Sequence, residues 1–571
     1  MPPSVTVSSN WVLHPRRSEE AAQRLVRVFG APLPVAHAMV NRGIDTDNKV
    51  QSYLEPSIED LHDPAEMLDL EKAAERILSG ISRSERIFIQ GDYDVDGITS
   101  TFLLYSALLE LGAAAEYRIP HRIKDGYGLT NEAIDEARRR GCTLVVTVDC
   151  GITAVEAVAH ATALGIETVI TDHHEPPAQL PAAYAIINPL RPGCPYPFKA
   201  LAGVGVTFKL VERLLESRGG LDRARDYLDV VALGTIADVV PLVGENRVLA
   251  RLGLDRLNEN KRLGLAALID KVKLSGKRIS SGQVAFVLAP RINAAGRMGN
   301  AEQGLRLLLS RESHEAADIA ASLEEDNDAR RKLDERALRD AERRVTEELG
   351  YPNCSSITLW SEEWHQGVIG IVASRLVERF QRPTVLVTLE GERGRGSGRS
   401  LPGLDLTKLL DGCHDLLLAH GGHAFAAGLT VERSRLPELR ERLEKLTREQ
   451  YQPDQFTTRL ELDAEVLVSE CSFEMVEWLE RMTPHGLDNP EPVFHIHDAQ
   501  LLNISTVGAG KHVRFTVRDG TGEVEAIGFG MGDLKPALLA AGRADLAFVP
   551  TINTWNDQQR VQLKLKGVRI P

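Results

Sequence analysis

Short apolar runs alternate with polar loops and helical stretches in the first half of the chain. Runs at 86–90, 143–148 and 167–171 have the length and aliphatic content of buried strands. Helical stretches at 98–111 and 154–164 follow the first two runs. Strand, loop and helix in this succession predict a parallel α/β sheet, in which functional groups lie at the carboxyl ends of the strands.

A loop and further helices are predicted after this sheet. Seven prolines within 176–197 indicate the loop, and helices are predicted at 203–215 and 227–239. From 312 to 348 the sequence contains neither Gly nor Pro, so we expect one helix of about 55 Å at about 1.5 Å per residue. Its 13 acidic and 7 basic residues favour a solvated strut between two domains over a core helix.

The C-terminal half predicts a second α/β domain followed by a small β domain. Apolar runs at 356–360 and 383–388 are strands of the α/β domain. Alternating apolar positions at 513–517 and 561–565, with a helix at 534–541, are typical of a Greek-key barrel of the OB type.

The predicted fold class is therefore α/β, with two α/β domains joined by a long helix and a C-terminal β-barrel. The predicted segments are an N-terminal lead-in packing on the first α/β domain (1–80), that domain (81–311), the connecting helix (312–349), the second α/β domain (350–455) and the OB-type domain (456–571).

Composition excludes several classes of protein. The 571 residues are 43% hydrophobic, which is too high for general disorder, and no apolar run approaches the roughly 18 residues that span a bilayer. The six cysteines are scattered without C-x-x-C spacing, which disfavours a disulfide scaffold or a structural zinc site. Because the first residues do not resemble a signal peptide, we expect a cytoplasmic protein with no membrane partner.

Three carboxylates, Asp92, Asp94 and Asp96, alternate in a glycine-flanked loop directly after the first predicted strand. Carboxylates this close repel one another unless cations neutralise them, and hard divalent ions such as Mg²⁺ or Mn²⁺ prefer oxygen ligands. An Asx-type turn or a calcium loop also fits the pattern, although an EF-hand is disfavoured because no Glu stands at the twelfth position. The position after a buried strand favours a catalytic site.

Two further strands end in the same way, at Asp149 and at the run Asp172–His174. A carboxylate after each of three parallel strands predicts an acid cluster on one rim of the sheet. His173 adds an imidazole, which binds Mn²⁺ well. Asp238, in the following helical block, is either one more ligand or a helix-terminal Asp, and the pattern leaves both interpretations open.

Together these segments resemble the four successive motifs of the DHH phosphoesterase family, and within it the bacterial exonucleases specific for single strands. The likeness extends from about residue 50 to the end of the chain. The segments that carry it are Gly91–Gly97 (GDYDVDG), Val148–Gly151 (VDCG), Asp172–His174 (DHH) and Gly234–Asp238 (GTIAD).

The resemblance implies a site with two Mn²⁺ or Mg²⁺ ions. Asp149 would bridge the ions and act in catalysis, and His174 would face the scissile phosphate as a second catalytic residue. Several relatives have His two residues before the first motif aspartate, where Gln90 stands here. Gln is a poorer ligand, which implies a weaker first metal site. The implied metal ligands are Asp92 (a ligand or behind the ligands), Asp94, Asp96, Asp149, His173 and Asp238.

Three segments of the second domain are rich in Gly, Arg and His. Residues 391–400 contain four glycines and three arginines, which suit a phosphate-binding loop or a flexible hairpin. The glycines of segment 420–428 permit close approach of the backbone to a ligand or tight helix–strand packing. Segment 364–374 predicts a helix of small residues whose N-terminus would suit an anion. These segments resemble the DHHA1 domain that accompanies the DHH domain. By that resemblance the residues implied in holding a 5′-terminal phosphate or the strand are Arg122, Arg297, Ser397, Arg399 and His423.

The net charge of −14 argues at first sight against a nucleic-acid partner. However, residues 312–348 alone contribute −6, and five aspartates of the candidate site contribute −5 that two divalent ions would largely offset. From 493 onward there are 9 basic and 7 acidic residues. That composition suits single-strand binding by an OB-type groove and equally suits a β domain that binds protein.

The resemblance implies a 5′→3′ exonuclease that degrades single-stranded DNA to 5′-mononucleotides in recombination and repair, beside a helicase and a single-strand-binding protein. No ATP site is expected, because residues 203–209 lack the Walker spacing. One alternative is a DHH phosphodiesterase for cyclic dinucleotides or very short oligonucleotides. A second is a binding protein with an inactive site, which is disfavoured because all the motif aspartates are present.

Overall fold

The computed structural model describes residues 10–15, 18–122, 124–451, 459–555 and 558–570. The chain divides into two compact units. One comprises Gln51–Arg330 and Thr483–Pro490, and the other comprises Met1–Val50, Arg331–Met482 and Glu491–Pro571. Within the described ranges, no helix is both long enough and apolar enough to cross a membrane.

The strands and helices of the described residues are numbered in chain order. The strands are β1 (Asn10–Leu13), β2 (Arg86–Gln90), β3 (Ala114–Arg118), β4 (Leu144–Val148), β5 (Glu167–Thr171), β6 (Ala185–Ile187), β7 (Ile357–Ser361), β8 (Thr384–Glu390), β9 (Arg393–Arg399), β10 (Leu417–His423), β11 (Ala426–Glu432), β12 (Arg459–Leu462), β13 (Ala464–Glu465), β14 (Phe494–Val507), β15 (His512–Arg518), β16 (Glu523–Gly528), β17 (Arg543–Trp555) and β18 (Gln558–Arg569). The helices are α1 (Glu19–Phe29), α2 (Leu33–Asn41), α3 (Asp47–Leu54), α4 (Leu70–Ser82), α5 (Val95–Glu110), α6 (Asn131–Arg139), α7 (Val155–Ala163), α8 (Gly203–Leu214), α9 (Leu221–Ala224), α10 (Leu228–Ala237), α11 (Gly244–Asn258), α12 (Leu263–Lys271), α13 (Ser281–Gln283), α14 (Ala289–Met298), α15 (Glu302–Leu309), α16 (Ser313–Glu347), α17 (Gln366–Phe380), α18 (Leu406–Asp411), α19 (Leu436–Gln450), α20 (Phe473–Arg481) and α21 (Lys535–Ala541).

The first unit is built on a five-stranded parallel sheet in the order β3-β2-β4-β5-β6. Because side chains alternate along a strand, Ile87 and Ile89 enter a core with α4, α5, α8 and α10, whereas Phe88 enters a core with α6 and α7. Helices thus cover both faces, which is why β4 is buried at every position. The predicted parallel α/β sheet is confirmed, and its strand ends position the candidate site.

The long helix α16 has 35 residues, as its lack of Gly and Pro predicts. The prediction of a solvated strut is wrong for one face of the helix. Leu323 is buried in the core of the first unit, and Ala341 and Val345 are buried with β7 and α17 in the second. Most of the charges lie along the rest of the surface, although Asp334 is buried and pairs with Arg375 at 3.1 Å. The buried stripe, not the net charge, therefore determines how the helix packs.

The second unit contains a mixed sheet in the order β10-β11-β9-β8-β7, in which only β7 and β8 are parallel. The Gly- and Arg-rich segment, predicted as a phosphate-binding loop or a flexible hairpin, contains strand β9, which pairs antiparallel with β8. A Cβ atom at Gly394 would lie 2.6 Å from a Val387 methyl group, and one at Gly398 would lie 2.7 Å from Leu406. Glycine is therefore needed there because large neighbouring side chains pack directly on the strand.

The C-terminal β domain is a closed barrel. Strands β14, β15, β16, β18 and β17 follow one another, and β17 pairs again with β14 to close the ring. Val513, Phe515 and Val517 point inward and are buried, as are Leu563 and Leu565. The predicted OB-type barrel is confirmed, because closure satisfies every strand edge while the alternation fills the interior.

The predicted lead-in 1–80 does not pack as a single piece on the first sheet. Helix α4 does, but β1 pairs in parallel with β12 in the other unit. In that unit the Asn41 amide donates to the Asp463 carbonyl at 3.0 Å, and Arg42 forms an ion pair of 2.6 Å with the Asp463 carboxylate. Polar partners for buried side chains, which the sequence pattern does not indicate, determine this placement.

Candidate active site

The carboxyl ends of β2, β4 and β5 and the end of helix α10, where Asp238 lies, bring the six predicted metal ligands into two adjacent groups. In each group one potential ligand atom per residue lies within 4.8 Å of the others. Oδ1 of Asp149 lies 3.2 Å from Nε2 of His173 and so links the two groups. The first group is Asp92, Asp94 and Asp149, and the second is Asp96, His173 and Asp238.

Helix α8 fixes the position of Asp96. Its Oδ2 accepts a hydrogen bond from the Gly203 N–H at 2.7 Å, and its Oδ1 accepts one from the Val204 N–H at 2.8 Å. Both amides belong to the first turn of α8, where N–H groups have no partner within the helix. A buried carboxylate is thereby held in one orientation with its charge facing the positive end of the helix.

The aspartate loop is held by caps on the next helix. Oδ1 of Asp94 accepts the Gly97 N–H at 3.1 Å as the N-cap of α5. Oδ1 of Asn293, on α14, accepts the Val95 N–H at 3.1 Å. The loop conformation is thus fixed before any cation binds.

Glycines allow the ligands to approach one another. A Cβ atom at Gly97 would lie 2.6 Å from Cα of Asp92, and one at Gly203 would lie 2.4 Å from Oδ1 of Asp149. Asp149 itself has a φ of 60°, in the left-handed region that non-glycine residues seldom adopt. The rim of the sheet therefore has no space for larger side chains at these two glycines.

The carboxylates are buried without enough compensating positive charge from the protein. Burial and then the neighbouring carboxylates raise the pKa values of Asp92, Asp96 and Asp149 well above their usual range. Burial also raises the pKa of Asp238, although His173 opposes the shift.

Three buried atoms of the site, Oδ1 of Asp92, Oδ1 of Asp149 and Nε2 of His173, make no hydrogen bond within the described residues. Five carboxylates and one imidazole with unused donor atoms fit Mn²⁺ or Mg²⁺, which prefer oxygen ligands and tolerate imidazole. Gln90 is also fully buried, and its Nε2 donates to the Gly91 carbonyl at 3.0 Å. Its Oε1 is buried without a hydrogen bond within the described residues.

His174 is oriented by Asp172, a carboxylate of the predicted acid cluster to which no role was assigned, and by Tyr127, which was not predicted as a site residue. Its Nδ1 lies 2.7 Å from Oδ1 of Asp172 and 3.0 Å from the hydroxyl of Tyr127. Burial alone would lower the pKa of His174, but the Asp172 carboxylate outweighs it and raises that pKa to about 9. The same Asp172 oxygen accepts the His173 and His174 N–H groups at 2.8 and 3.1 Å. Asp172 therefore shapes the whole loop.

Two of the predicted DNA-binding arginines belong to the first unit. Cζ of Arg122 lies 4.7 Å from the centre of the Tyr93 ring, within the aspartate loop. Burial raises the pKa of Tyr93 to about 12, while the charges of Arg122 and Arg297 oppose this rise. Both arginines are thus close enough to act electrostatically on a residue between two of the candidate ligands.

The other predicted contacts lie on the sheet of the second unit. Nη1 of Arg399 donates to Oγ of Ser397 at 3.0 Å. A Cβ atom at Gly370, on α17, would lie 3.0 Å from each of these two side chains. His423 is paired with Ala426, which is paired in turn with Arg399, so the three form one row across the sheet. Ser397, Arg399 and His423 therefore share a surface.

Sequence reasoning missed Tyr127, Asn293 and Gly203 as residues of the site. Tyr127 lies between Gly126 and Gly128, and an aromatic residue in such a pair of glycines is the one local signal available. Gly203 and Asn293 act through contacts with residues about a hundred or more positions away in the sequence. Only the fold reveals these contacts.

Comparisons with known proteins agree with the fold. The family models "DHH family, N-terminal domain", "DHHA1 domain" and "RecJ OB domain" match residues 86–235, 353–449 and 462–567. The single-stranded-DNA-specific exonuclease RecJ of Bacillus subtilis (strain 168) is 39% identical over 542 residues, which cover 94% of this chain and 68% of the relative. The Escherichia coli (strain K12) protein of the same name is 35% identical, covering 90% and 92%.

A solved structure gives the same result. The crystal structure of RecJ in complex with Mn²⁺ from Thermus thermophilus superimposes with a TM-score of 0.86 at 30% identity, covering 98% of this chain and 80% of that one. With three matching domain models and relatives matched over most of both sequences, the chain belongs to the RecJ family of single-stranded-DNA-specific exonucleases.

Proposed function

We propose that this protein is a metal-dependent exonuclease that digests single-stranded DNA from its 5′ end and releases 5′-mononucleotides. The observation that carries the proposal is the pair of ligand groups at the strand ends, linked through Asp149 and His173. Several buried oxygen and nitrogen atoms of the site make no hydrogen bond, and two divalent cations would bind to these atoms. The proposed ligands are Asp92, Asp94, Asp96, Asp149, His173 and Asp238.

Two bound divalent cations would supply an activated water and neutralise the phosphate oxygens in an in-line displacement. The protein contributes orientation. Asp149 offers its carboxylate beside both ligand groups, and Asp96 is held by two backbone amides, so neither has to reorganise during turnover.

His174 is the proposed proton donor or hydrogen-bond donor to the reacting phosphate. Asp172 and Tyr127 make their shorter contacts with Nδ1, and Nε2, 3.5 Å from the Tyr127 hydroxyl, is the nitrogen proposed to face the substrate. An imidazolium in that orientation stabilises charge that develops on a phosphate oxygen or on the leaving group.

Five side chains that the family resemblance implies are proposed to contact the 5′-terminal phosphate or the strand. Arg399 and Ser397, joined by a hydrogen bond, form a donor pair of the kind that binds phosphate. Arg122, Arg297 and His423 are proposed to contact the terminal phosphate or the adjacent strand. The OB-type barrel is proposed to hold the single strand further along.

The setting that we propose is the cytoplasm, in recombination and repair, beside a helicase and a single-strand-binding protein. The helicase would supply single strands from duplex, which the enzyme itself would not degrade. All six cysteines are free thiols, which suits a reducing compartment.

The runner-up function, hydrolysis of cyclic dinucleotides or very short oligonucleotides, would use the same metal site. The barrel argues for the longer substrate, because a dinucleotide needs no separate strand-binding domain.

A direct test incubates the protein and Mn²⁺ with three substrates: a long 5′-phosphorylated single strand, the matched duplex and a dinucleotide. We expect mononucleotides from the single strand and little product from the duplex. Digestion of the dinucleotide alone would favour the runner-up, and equal digestion of the duplex would contradict strand specificity.

A further inference from the structure

Two histidines on the first strand of the barrel share its outer face. Phe494 and Ile496 of β14 are buried in the barrel, so His495 and His497 point the other way. Their ring centres lie 6.1 Å apart, with 61° between the ring planes. Two imidazoles spaced by one residue on a strand therefore face the same space.

A carboxylate from the neighbouring strand completes a group of three. Ala544 and Leu546 of β17 are buried, so Asp545 between them is directed outward. Its Oδ1 lies 2.8 Å from Nδ1 of His497 and accepts the Asp498 N–H at 2.9 Å. One potential ligand atom from each of His495, His497 and Asp545 lies within 4.8 Å of the other two.

The group combines a fixed part and an open part. The edge of the His495 ring packs against Trp11 with ring centres 5.5 Å apart, and its Nε2 is buried without a hydrogen bond in the described chain. The His497 side chain is 66% exposed, whereas that of Asp545 is 18% exposed. A bound ion would thus be reachable from solvent and keep positions for water.

We propose that His495, His497 and Asp545 form a second metal site, in the barrel, which binds Zn²⁺ or a similar borderline transition metal. Two imidazoles and one carboxylate are a ligand set that Zn²⁺ accepts at tetrahedral geometry, with water in the remaining position. The candidate active site has five carboxylates and one imidazole, which suit Mn²⁺ or Mg²⁺. The two sites therefore select different ions by ligand chemistry.

Binding at this site would connect β14 and β17 through a metal ion. These strands close the barrel, and Glu465 on β13 is paired with His495 beside the group. The backbone of Asp498 already holds the Asp545 carboxylate in place. The expected consequence is a barrel that unfolds at a higher temperature when the ion is bound.

The test uses the full chain carrying Asp149→Ala and His173→Ala, so that the candidate active site no longer competes for the probe. After treatment with a chelator, this parent is titrated with Zn²⁺ alone by calorimetry and with Co²⁺ alone by visible absorption. We expect one equivalent of Zn²⁺ to bind and the melting temperature to rise. Adding His497→Ala or Asp545→Asn should abolish both effects, and His512→Ala, elsewhere on the barrel, should abolish neither.

His497 is exposed, so His497→Ala is expected to leave the fold intact, as circular dichroism of the metal-free chain would verify. If the parent binds no Zn²⁺, or if the His497→Ala chain binds Zn²⁺ as the parent does, the assignment of the site is wrong. Neither outcome depends on nuclease activity, so it would leave the proposed exonuclease function unaffected.

Discussion

Gly203 lies so close to Asp149 that a Cβ atom on the glycine would be 2.4 Å from Oδ1 of the carboxylate. The Gly203 N–H also donates to Oδ2 of Asp96 at 2.7 Å. One residue without a side chain thus contacts a carboxylate from each of the two ligand groups. The start of helix α8 is consequently part of the site even though Gly203 has no chemical group that reacts.

Gly203→Ala is expected to lower the rate of digestion of single-stranded DNA about 100-fold, because Asp149 must shift to admit the methyl group. The measurement is Mn²⁺-dependent release of nucleotides, with the melting temperature recorded in parallel. Gly205→Ala, in the same helix, is the matched control. Its Cβ would meet the Leu201 side chain at 3.1 Å, and that side chain can move. Near-normal activity of Gly203→Ala would show that the carboxylate position is not critical.

Tyr127→Phe removes the hydroxyl that lies 3.0 Å from Nδ1 of His174. Because one hydrogen bond contributes roughly 0.5–1.5 kcal/mol, kcat is expected to fall up to about tenfold with little change in KM. Tyr184→Phe is the control, since the Tyr184 ring contacts Lys72 and not the site. An unchanged kcat, or a change confined to KM, would argue against a role for Tyr127 in orienting His174.

Arg399→Ala is expected to weaken the preference for a 5′-phosphate over a 5′-hydroxyl about tenfold or more. The reason is that the substitution removes the charge-assisted hydrogen bond that Arg399 is proposed to donate to the terminal phosphate. The preference is the ratio of kcat/KM for the two forms of one oligonucleotide. Arg393→Ala removes the same charge from the opposite end of β9 and should leave the ratio unchanged. If the ratio also stays unchanged in Arg399→Ala, Arg399 does not bind the terminal phosphate.

Lys209→Met is expected to destabilise the first unit by about 3–5 kcal/mol. Lys209 is fully buried, with Nζ 2.9 Å from Oε1 of Glu245 and donating to the His62 carbonyl at 2.6 Å. The substitution leaves Glu245 as a buried charge without its cation. Chemical denaturation measures the loss, and adding Glu245→Gln should restore part of it. A loss below about 1 kcal/mol would contradict the assignment of this pair to the core.

The strands at the centre of the parallel sheet were predictable because they are short, aliphatic and followed by polar residues. β5 begins and ends at the predicted residues 167 and 171, and β2 does so at 86 and 90. The helix at Ser313–Glu347 was predictable from the absence of helix-breaking residues. The local pattern was sufficient to predict an element wherever the intrinsic preference of the residues and their burial in the fold favour the same structure.

The segment of β9 was predicted as a phosphate-binding loop or a flexible hairpin, because glycine disfavours strands in general. The need for glycine there depends on Val387 and Leu429 of the neighbouring strands and on Leu406 of helix α18. The pairing of β1 with β12 joins segments more than four hundred residues apart, which no local pattern reveals. For the site, the ligand types were readable at the strand ends. The groups that orient these ligands, such as the Gly203 N–H for Asp96, are visible only in three dimensions.

The most direct test of the central claim compares the wild type with Asp149→Ala on a long 5′-phosphorylated single strand in Mn²⁺. Asp149 lies at the link between the two ligand groups. The rate of mononucleotide release is therefore expected to fall about 1000-fold or more while the melting temperature indicates a folded chain. Asp222→Ala, at a side chain that is 82% exposed, should digest the strand at the wild-type rate. Digestion by folded Asp149→Ala at a rate near that of the wild type would contradict a metal-dependent site built on these residues.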